Sequence, residues 1–144
     1  MGDRDRPAWE DERPGPHVWR TLGHRRVEPV DGDVGIEWDA GEDYSFPDRS
    51  GASIVHGGLV TTLLDTAMGY ACRNQLEDDE GFLTADLRVD FFRAARPGIL
   101  RAEGRVVHRT RRAVFCAAEL TDTAGSLVAG ARCTQIVRWE GLAE

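Results

Sequence analysis

Between Val60 and Ala71 the apolar side chains keep helical time. Val60, Leu63, Leu64, Ala67, Met68 and Ala71 fall at i, i+3, i+4, i+7, i+8 and i+11, the stripe of a helix packed on a core. The positions between them, Leu59, Thr61, Thr62, Thr66 and Gly69, are small or uncharged, so this helix is expected to be enclosed on most sides. Arg73, Asn74, Gln75 and the acidic run EDDEG end it. The rest of the chain reads as strands. After the helix come FLTADLRVDFF, ILRAEGRVVH, AVFCAAELTD and SLVAGARCTQIVRW, joined by ARPG and short turns, which predicts an antiparallel meander of four. Before it, RRVEPV and VGIEWDA flank Asp31-Gly32-Asp33 as a hairpin would. HVWRTLG forms a short helix closed by Gly23, and GEDYSFPDRSGAS is a polar loop. The sum is an α+β domain of one enclosed helix and about six strands, its antiparallel sheet curled around the helix.

A chain of 144 residues matches one ordinary domain. Residues 1–16 are charged and proline-rich and predict a flexible tail, leaving 17–144 as a single domain. The net charge of −7 argues against general nucleic-acid binding. All 18 basic residues are arginine, and eight of them lie between Arg88 and Arg112 against only Asp90 and Glu103, a local balance of +6. Such a segment in an acidic protein suits a small anionic ligand, because guanidinium meets phosphate as a planar fork; the same arginines equally suit solvated strand faces.

Cys72, Cys116 and Cys133 are odd in number, without CxxC spacing or a neighbouring histidine, and read as reduced thiols. No metal site is expected. No apolar run reaches a membrane span of about 18 residues, and MGDRDRPAWEDERPGP has no signal-peptide core. The expectation is a soluble, cytoplasmic protein.

One feature of the helix calls for chemistry. From Ser50 to Cys72 the only carboxylate is Asp65, and a lone buried carboxylate costs several kcal/mol unless paired or used. Where the helix begins stands His56-Gly57-Gly58. A helix N-terminus offers unpaired N–H groups and a positive dipole end, and glycine lets a ligand approach that backbone, a setting for a developing oxyanion. Gly-Gly also simply eases a tight turn. Asp65 lies eight residues beyond Gly57, about 12 Å along the axis at about 1.5 Å per residue. One substrate carbonyl cannot touch both on one helix, so cooperation between them predicts a two-fold dimer with sites across the interface.

His-Gly-Gly, an acid nine residues after the histidine, and a following series of strands containing VDFFRAARPG and AGSLVAGARCTQIV resemble the hotdog-fold acyl-CoA thioesterases of the phenylacetate-pathway (PaaI-like) type, over roughly residues 20–138. The resemblance implies a curved antiparallel sheet of five to six strands around one long central helix, subunits joined edge to edge, and a homodimer or dimer of dimers that hydrolyses an acyl-CoA without a metal or organic cofactor. It implies that the Gly57 amide polarises the thioester carbonyl and that His56 orders the loop or contacts that oxygen. Asp65 of the neighbouring subunit is then general base or nucleophile, and Thr84 helps hold the attacking water. Gly58, Arg109, Arg111 and Arg112 are the implied CoA-binding residues.

Three positions depart from the family pattern: Ser50 stands where an asparagine is common, Arg93-Ala94-Ala95 replaces Arg-Pro-Ala, and the turn reads His108-Arg109-Thr110-Arg111-Arg112. Other readings stand beside these. Asp65 could pair with a strand arginine, and strict alternation puts Thr84 on one face with Asp86, Arg88 and Asp90. His17, His24 and His108 have no ligand spacing. Tyr70, Phe82 and Phe91 are candidates for an apolar tunnel. A non-catalytic acyl-CoA sensor would keep the pocket without activating water; a hydratase of the same fold needs an Asp and a His about five residues apart, which Asp65 lacks; and a purely structural subunit leaves Asp65 unexplained.

Overall fold

The computed structural model describes residues 17–139; the tail expected over residues 1–16, and residues 140–144 of the predicted domain, lie outside the described residues. In chain order the elements are α1 (His17–Leu22), β1 (Arg25–Val27), β2 (Val34–Ala40), a 3-10 turn (Glu42–Tyr44), β3 (Ser45–Pro47), β4 (Ser53–Val55), α2 (Gly57–Arg73), β5 (Glu80–Phe91), β6 (Gly98–Arg109), β7 (Ala113–Thr121) and β8 (Leu127–Trp139). Among the described residues, six strands make one antiparallel sheet in the order β1-β2-β6-β7-β8-β5, and β3 pairs with β4 as a separate ribbon. The architecture is the hotdog fold: the sheet wraps α2.

Three details differ from expectation. The β1–β2 connection is six residues, 28–33, because Val27 pairs with Gly35; its backbone is held by Glu103, whose Oε1 accepts the N–H groups of Val30, Asp31 and Gly32 at 2.7–2.9 Å. The expected polar loop contains the β3–β4 ribbon. The meander holds for β6, β7 and β8 only, since β5 pairs with β8 at the far edge. Alternation fixes the faces of a strand and leaves its neighbours open. Residues 92–97 reach about 20 Å when extended, enough to cross the three strand spacings, about 14 Å, between β5 and β6. Phe92 and Arg93 donate to Val128 O, and Val55 donates to Ala95 O, which ties the crossing segment to β8 and β4.

Val60, Leu63, Leu64, Ala67, Met68 and Ala71 are all buried, as the helical stripe requires, against Ile36, Trp38, Leu100, Val114 and Leu120 from the sheet. Each large side chain so buried contributes roughly 1.5–3 kcal/mol. The helix sits closest to β6. A Cβ on Gly104 would overlap the carbonyl of Ala67 and stand 3.0 Å from Met68 N, so the absence of a side chain there sets the depth at which α2 lies on the sheet.

On the other side of α2, His24 Nδ1 is 3.1 Å from Thr66 Oγ1 and its ring meets Trp38 edge-on. Its buried Nε2 has no partner among the described residues. Burial lowers the His24 pKa from 6.5 to about 4.

Gly104→Ala should lower stability by about 3 kcal/mol, the upper range for overpacking, measured by urea denaturation. Below pH 6.5 an unfolded His24 takes up a proton that the folded site refuses until about pH 4, so stability should fall as pH drops through that window. His24→Asn, which cannot titrate, should flatten that fall when unfolding is followed at several pH values.

Candidate active site

His56 is the N-cap of α2. Its backbone N–H donates to Tyr44 O at 2.9 Å, and its Nδ1 accepts from Gly58 N at 3.0 Å, so the ring proton sits on Nε2. Of the two roles implied for His56, this geometry is the ordering one. It also engages the Gly58 amide, which is therefore not free to bind a ligand. The neighbouring amide is different: among the described residues the Gly57 N–H has no acceptor, and Gly57 borders a cavity of about 350 Å³ lined by Phe46, Ile54, Val55, Val60, Phe91 and Phe92, with Arg93 as the one charged side chain. A lone N–H at the positive end of a 17-residue helix, facing an apolar space, is a donor suited to a developing oxyanion.

Order before the helix comes from residues outside the family pattern. Asp48 Oδ1 accepts from the backbone and hydroxyl of Ser50 at 2.8 and 2.6 Å, and its other oxygen pairs with Arg96 at 3.1 Å. The Ser50 hydroxyl and then Arg96 hold the Asp48 carboxyl at about 2. Ser50, where the family often has asparagine, thus works through Asp48.

Asp65 points from α2 toward β5. Among the described residues its single hydrogen bond comes from the Thr84 hydroxyl, 3.3 Å from Oδ1, and no cation pairs with it. The pairing with a strand arginine that would have made Asp65 structural does not occur. Burial pushes its pKa above the ordinary carboxylate value, and Thr84 offsets this in part. Thr84 also lies 2.9 Å from Gln135 Oε1. One hydroxyl proton faces two acceptors, and the nearer is the amide, so the carboxylate is incompletely satisfied.

Thr84 reaches Asp65 because strict alternation fails in β5. Thr84 pairs with Gln135 while Asp86 pairs with Thr134, which leaves Ala85 as a bulged residue. The bulge turns Thr84 onto the helix side with Gln135, away from the outer face of Asp86, Arg88 and Asp90. Gln135, fully buried between the apolar positions Cys133 and Val137, is the member of this cluster that sequence reasoning missed; its signal is a lone amide in the buried register of β8.

The helix and β5 run in opposite senses. Gly57 lies against the Phe91 ring, Asp65 against Thr84, and Gly69 against the Phe82 ring. Of the three aromatics considered for a tunnel, only Phe91 lines the cavity; Tyr70 stacks on Trp19 at 4.8 Å, and Phe82 covers Gly69. The arginine turn lies beyond the other end of α2. Arg109 pairs with Glu80 at 2.9 Å, whose carbonyl accepts from Arg73, and Arg111 stacks over Trp139. Within one chain, then, His56-Gly57-Gly58 is not brought together with Arg109, Arg111 and Arg112, and Arg109 is already neutralised. The three cysteines are buried and free.

The fold and this helix-borne site define a hotdog protein of the thioesterase type. A model of the family described as Thioesterase superfamily matches residues 52–129, more than half of the chain, and the chain belongs to that superfamily. It is similar to a provisionally named esterase of Pseudomonas aeruginosa, with 39% identity over 66 residues, 45% of this chain and 49% of that protein. It is also similar to a provisionally named esterase of Saccharolobus solfataricus, with 32% identity over 84 residues, 58% and 55% of the two chains. These matches span about half the length of each curated relative. Among solved structures, a provisionally named thioesterase, a phenylacetic acid degradation-related protein of Ralstonia eutropha, superposes with a TM-score of 0.77 and 28% identity, over 89% of this chain and 95% of that one.

Thr84→Val removes the one donor that offsets the burial of Asp65, so it should raise the Asp65 pKa further. A ¹³C-NMR titration of the carboxyl carbon reads this directly.

Proposed function

We propose that this protein hydrolyses the thioester of an acyl- or aryl-CoA to the free acid and CoA, at two equivalent sites formed between two copies of the chain. The observation that carries the reading is the state of Asp65: half-buried, raised in pKa, without a cation among the described residues and open toward β5. A carboxylate that stabilises a fold is paired, whereas one that works as a base near neutral pH is raised by burial, as here.

The assembly follows from an edge. β5 ends the sheet, so one side of a 12-residue strand carries unpaired N–H and C=O groups, a template for a second strand. Because Gly57 sits beside Phe91 and Asp65 beside Thr84, antiparallel pairing of two β5 strands about a two-fold near Leu87 and Arg88 sets Phe91 of one copy against Thr84 of the other. The Gly57 amide of one subunit then approaches Asp65 of the other.

In that site the acyl carbonyl accepts the Gly57 N–H and the acyl group enters the apolar cavity beside it. Asp65 takes a proton from water held by Thr84, and the water oxygen adds to the carbonyl carbon. The oxyanion is held at the helix N-terminus. As it collapses, the C–S bond breaks and the proton on Asp65 passes to the departing sulfur, giving thiol and acid. Arg111 and Arg112 are the cations left for the CoA phosphates, since Glu80 already neutralises Arg109.

Thiol release from a panel of aryl-, short-, medium- and long-chain acyl-CoAs should show turnover of at least one class. Asp65→Asn should reduce kcat by about 10²–10⁴-fold with an unchanged circular dichroism spectrum, and the acid limb of the wild-type profile should lie above the ordinary aspartate range. An Asp65→Asn protein that keeps most of its activity removes Asp65 from the mechanism; CoA binding without turnover makes the protein a sensor.

A further inference from the structure

Gln135 is wholly buried in β8, where an amide is kept only if its polar ends are met. Its two ends meet different groups. Nε2 donates to Cys133 Sγ at 3.3 Å, and Oε1 accepts from the Thr84 hydroxyl at 2.9 Å. The Cys133 sulfur is free to accept because its own proton has another destination. Cys133 stands directly opposite Cys116 of β7, and the Cys116 thiol hydrogen-bonds both Cys133 and Cys72 of α2. Protons therefore point one way, from Thr84 to Gln135 to Cys133 to Cys116, away from Asp65 and into the core. Bonds aligned head to tail in this manner reinforce one another.

Asp65 receives what that chain leaves over. The Thr84 hydroxyl proton is shared between Gln135 at 2.9 Å and Asp65 at 3.3 Å, and the nearer acceptor takes the larger part. A hydroxyl oxygen also carries two lone pairs, and with the proton turned to the amide these are left for a water between Thr84 and Asp65. Such a water gives one proton to each side chain and keeps its own lone pairs for an acyl carbon. We propose that Gln135 is a positioning residue: it draws the Thr84 proton away from Asp65, so that Thr84 accepts from the attacking water and Asp65 is left as an incompletely satisfied base. What the water then does rests on the thioesterase reading; where the proton lies does not.

The surroundings of Asp65 make the effect readable. The titratable group that acts on it from β8 is the Cys133 thiol, which Asp65 and burial together keep neutral. From β5 comes Thr84 alone, and no ion pair reaches Asp65 among the described residues. A change at Gln135 thus has one route to the carboxylate, through the threonine hydroxyl.

The test is a ¹³C-NMR titration of the Asp65 carboxyl carbon. Gln135→Met keeps the volume of the side chain and removes its acceptor, so the whole Thr84 proton turns to Asp65. The Asp65 titration should move to lower pH than in wild type, opposite to the direction expected of Thr84→Val. With Thr84→Val already in place, Gln135→Met should change nothing further. In an otherwise wild-type chain, Thr84→Val should move the Gln135 Cδ resonance upfield, because the carbonyl loses its donor, while the Nε2 nitrogen holds its position; this reading needs no substitution in the core of β8. In thiol release, Gln135→Met should lower kcat by about tenfold, a part of the roughly 10²–10⁴-fold that a general base contributes, with KM unchanged and the acid limb of kcat following the titration. An Asp65 titration that stays in place or rises in Gln135→Met, a shift that persists beside Thr84→Val, or a response at Nε2 in place of Cδ overturns the proposal. If no acyl-CoA is turned over, the thioesterase reading fails while the titration still decides the role of Gln135.

Discussion

The depth at which α2 lies on the sheet is set by one missing methyl group. Gly104 lets the backbone of Ala67 and Met68 come down onto β6, and a helix drawn toward β6 is held away from β5 at the far edge. The asymmetry leaves a groove along β5 whose wall is only half covered: Leu87 and Phe91 face the helix side yet remain 37% and 52% exposed. Gly57 and Asp65 both open on that groove. The packing of the core and the accessibility of the site are thus one constraint, with the tight contact on one flank of the helix creating the open one on the other.

Within the groove the chemistry is sparse, and its sparseness matters. An apolar cavity beside an unengaged amide, and a carboxylate with one weak partner, are each unfavourable taken singly. Stability is recovered nearby: in the loop pinned by Asp48, in the histidine cap that fixes Gly58, and in Glu103, which holds three amides of the β1–β2 loop. Rigid supports surround groups that are left incompletely satisfied, an arrangement suited to a ligand that supplies the missing partners.

Much of this was legible in the sequence. The 3.6-residue stripe located α2, because burial on one face is written directly into periodicity, and the lone Asp65 stood out because nothing near it could neutralise it. Strand order was not legible. β5 and β6 are neighbours in the chain and three strands apart in the sheet, and side-chain alternation carries no information about which edge a strand chooses. Strict alternation alone puts Thr84 on the wrong face, against the role that the resemblance implies for it, for a local reason: the Ala85 bulge resets the phase, and alanine gives no warning of it. Arg109 has the right chemistry for phosphate, but its partner Glu80 lies 29 residues away, and pairing at that distance is decided only by the fold.

The Ala85 bulge bears on how such chains diverge. Because one extra residue decides whether position 84 faces the helix or the solvent, the strand's length in this region carries as much meaning as its composition. A one-residue deletion there would leave every remaining amino acid unchanged and still rotate the hydroxyl out of reach of the carboxylate. Descent within such a family can therefore gain or lose a polar partner by slippage of a single codon, and relatives that look conservative residue by residue can differ in the phase that places their chemistry.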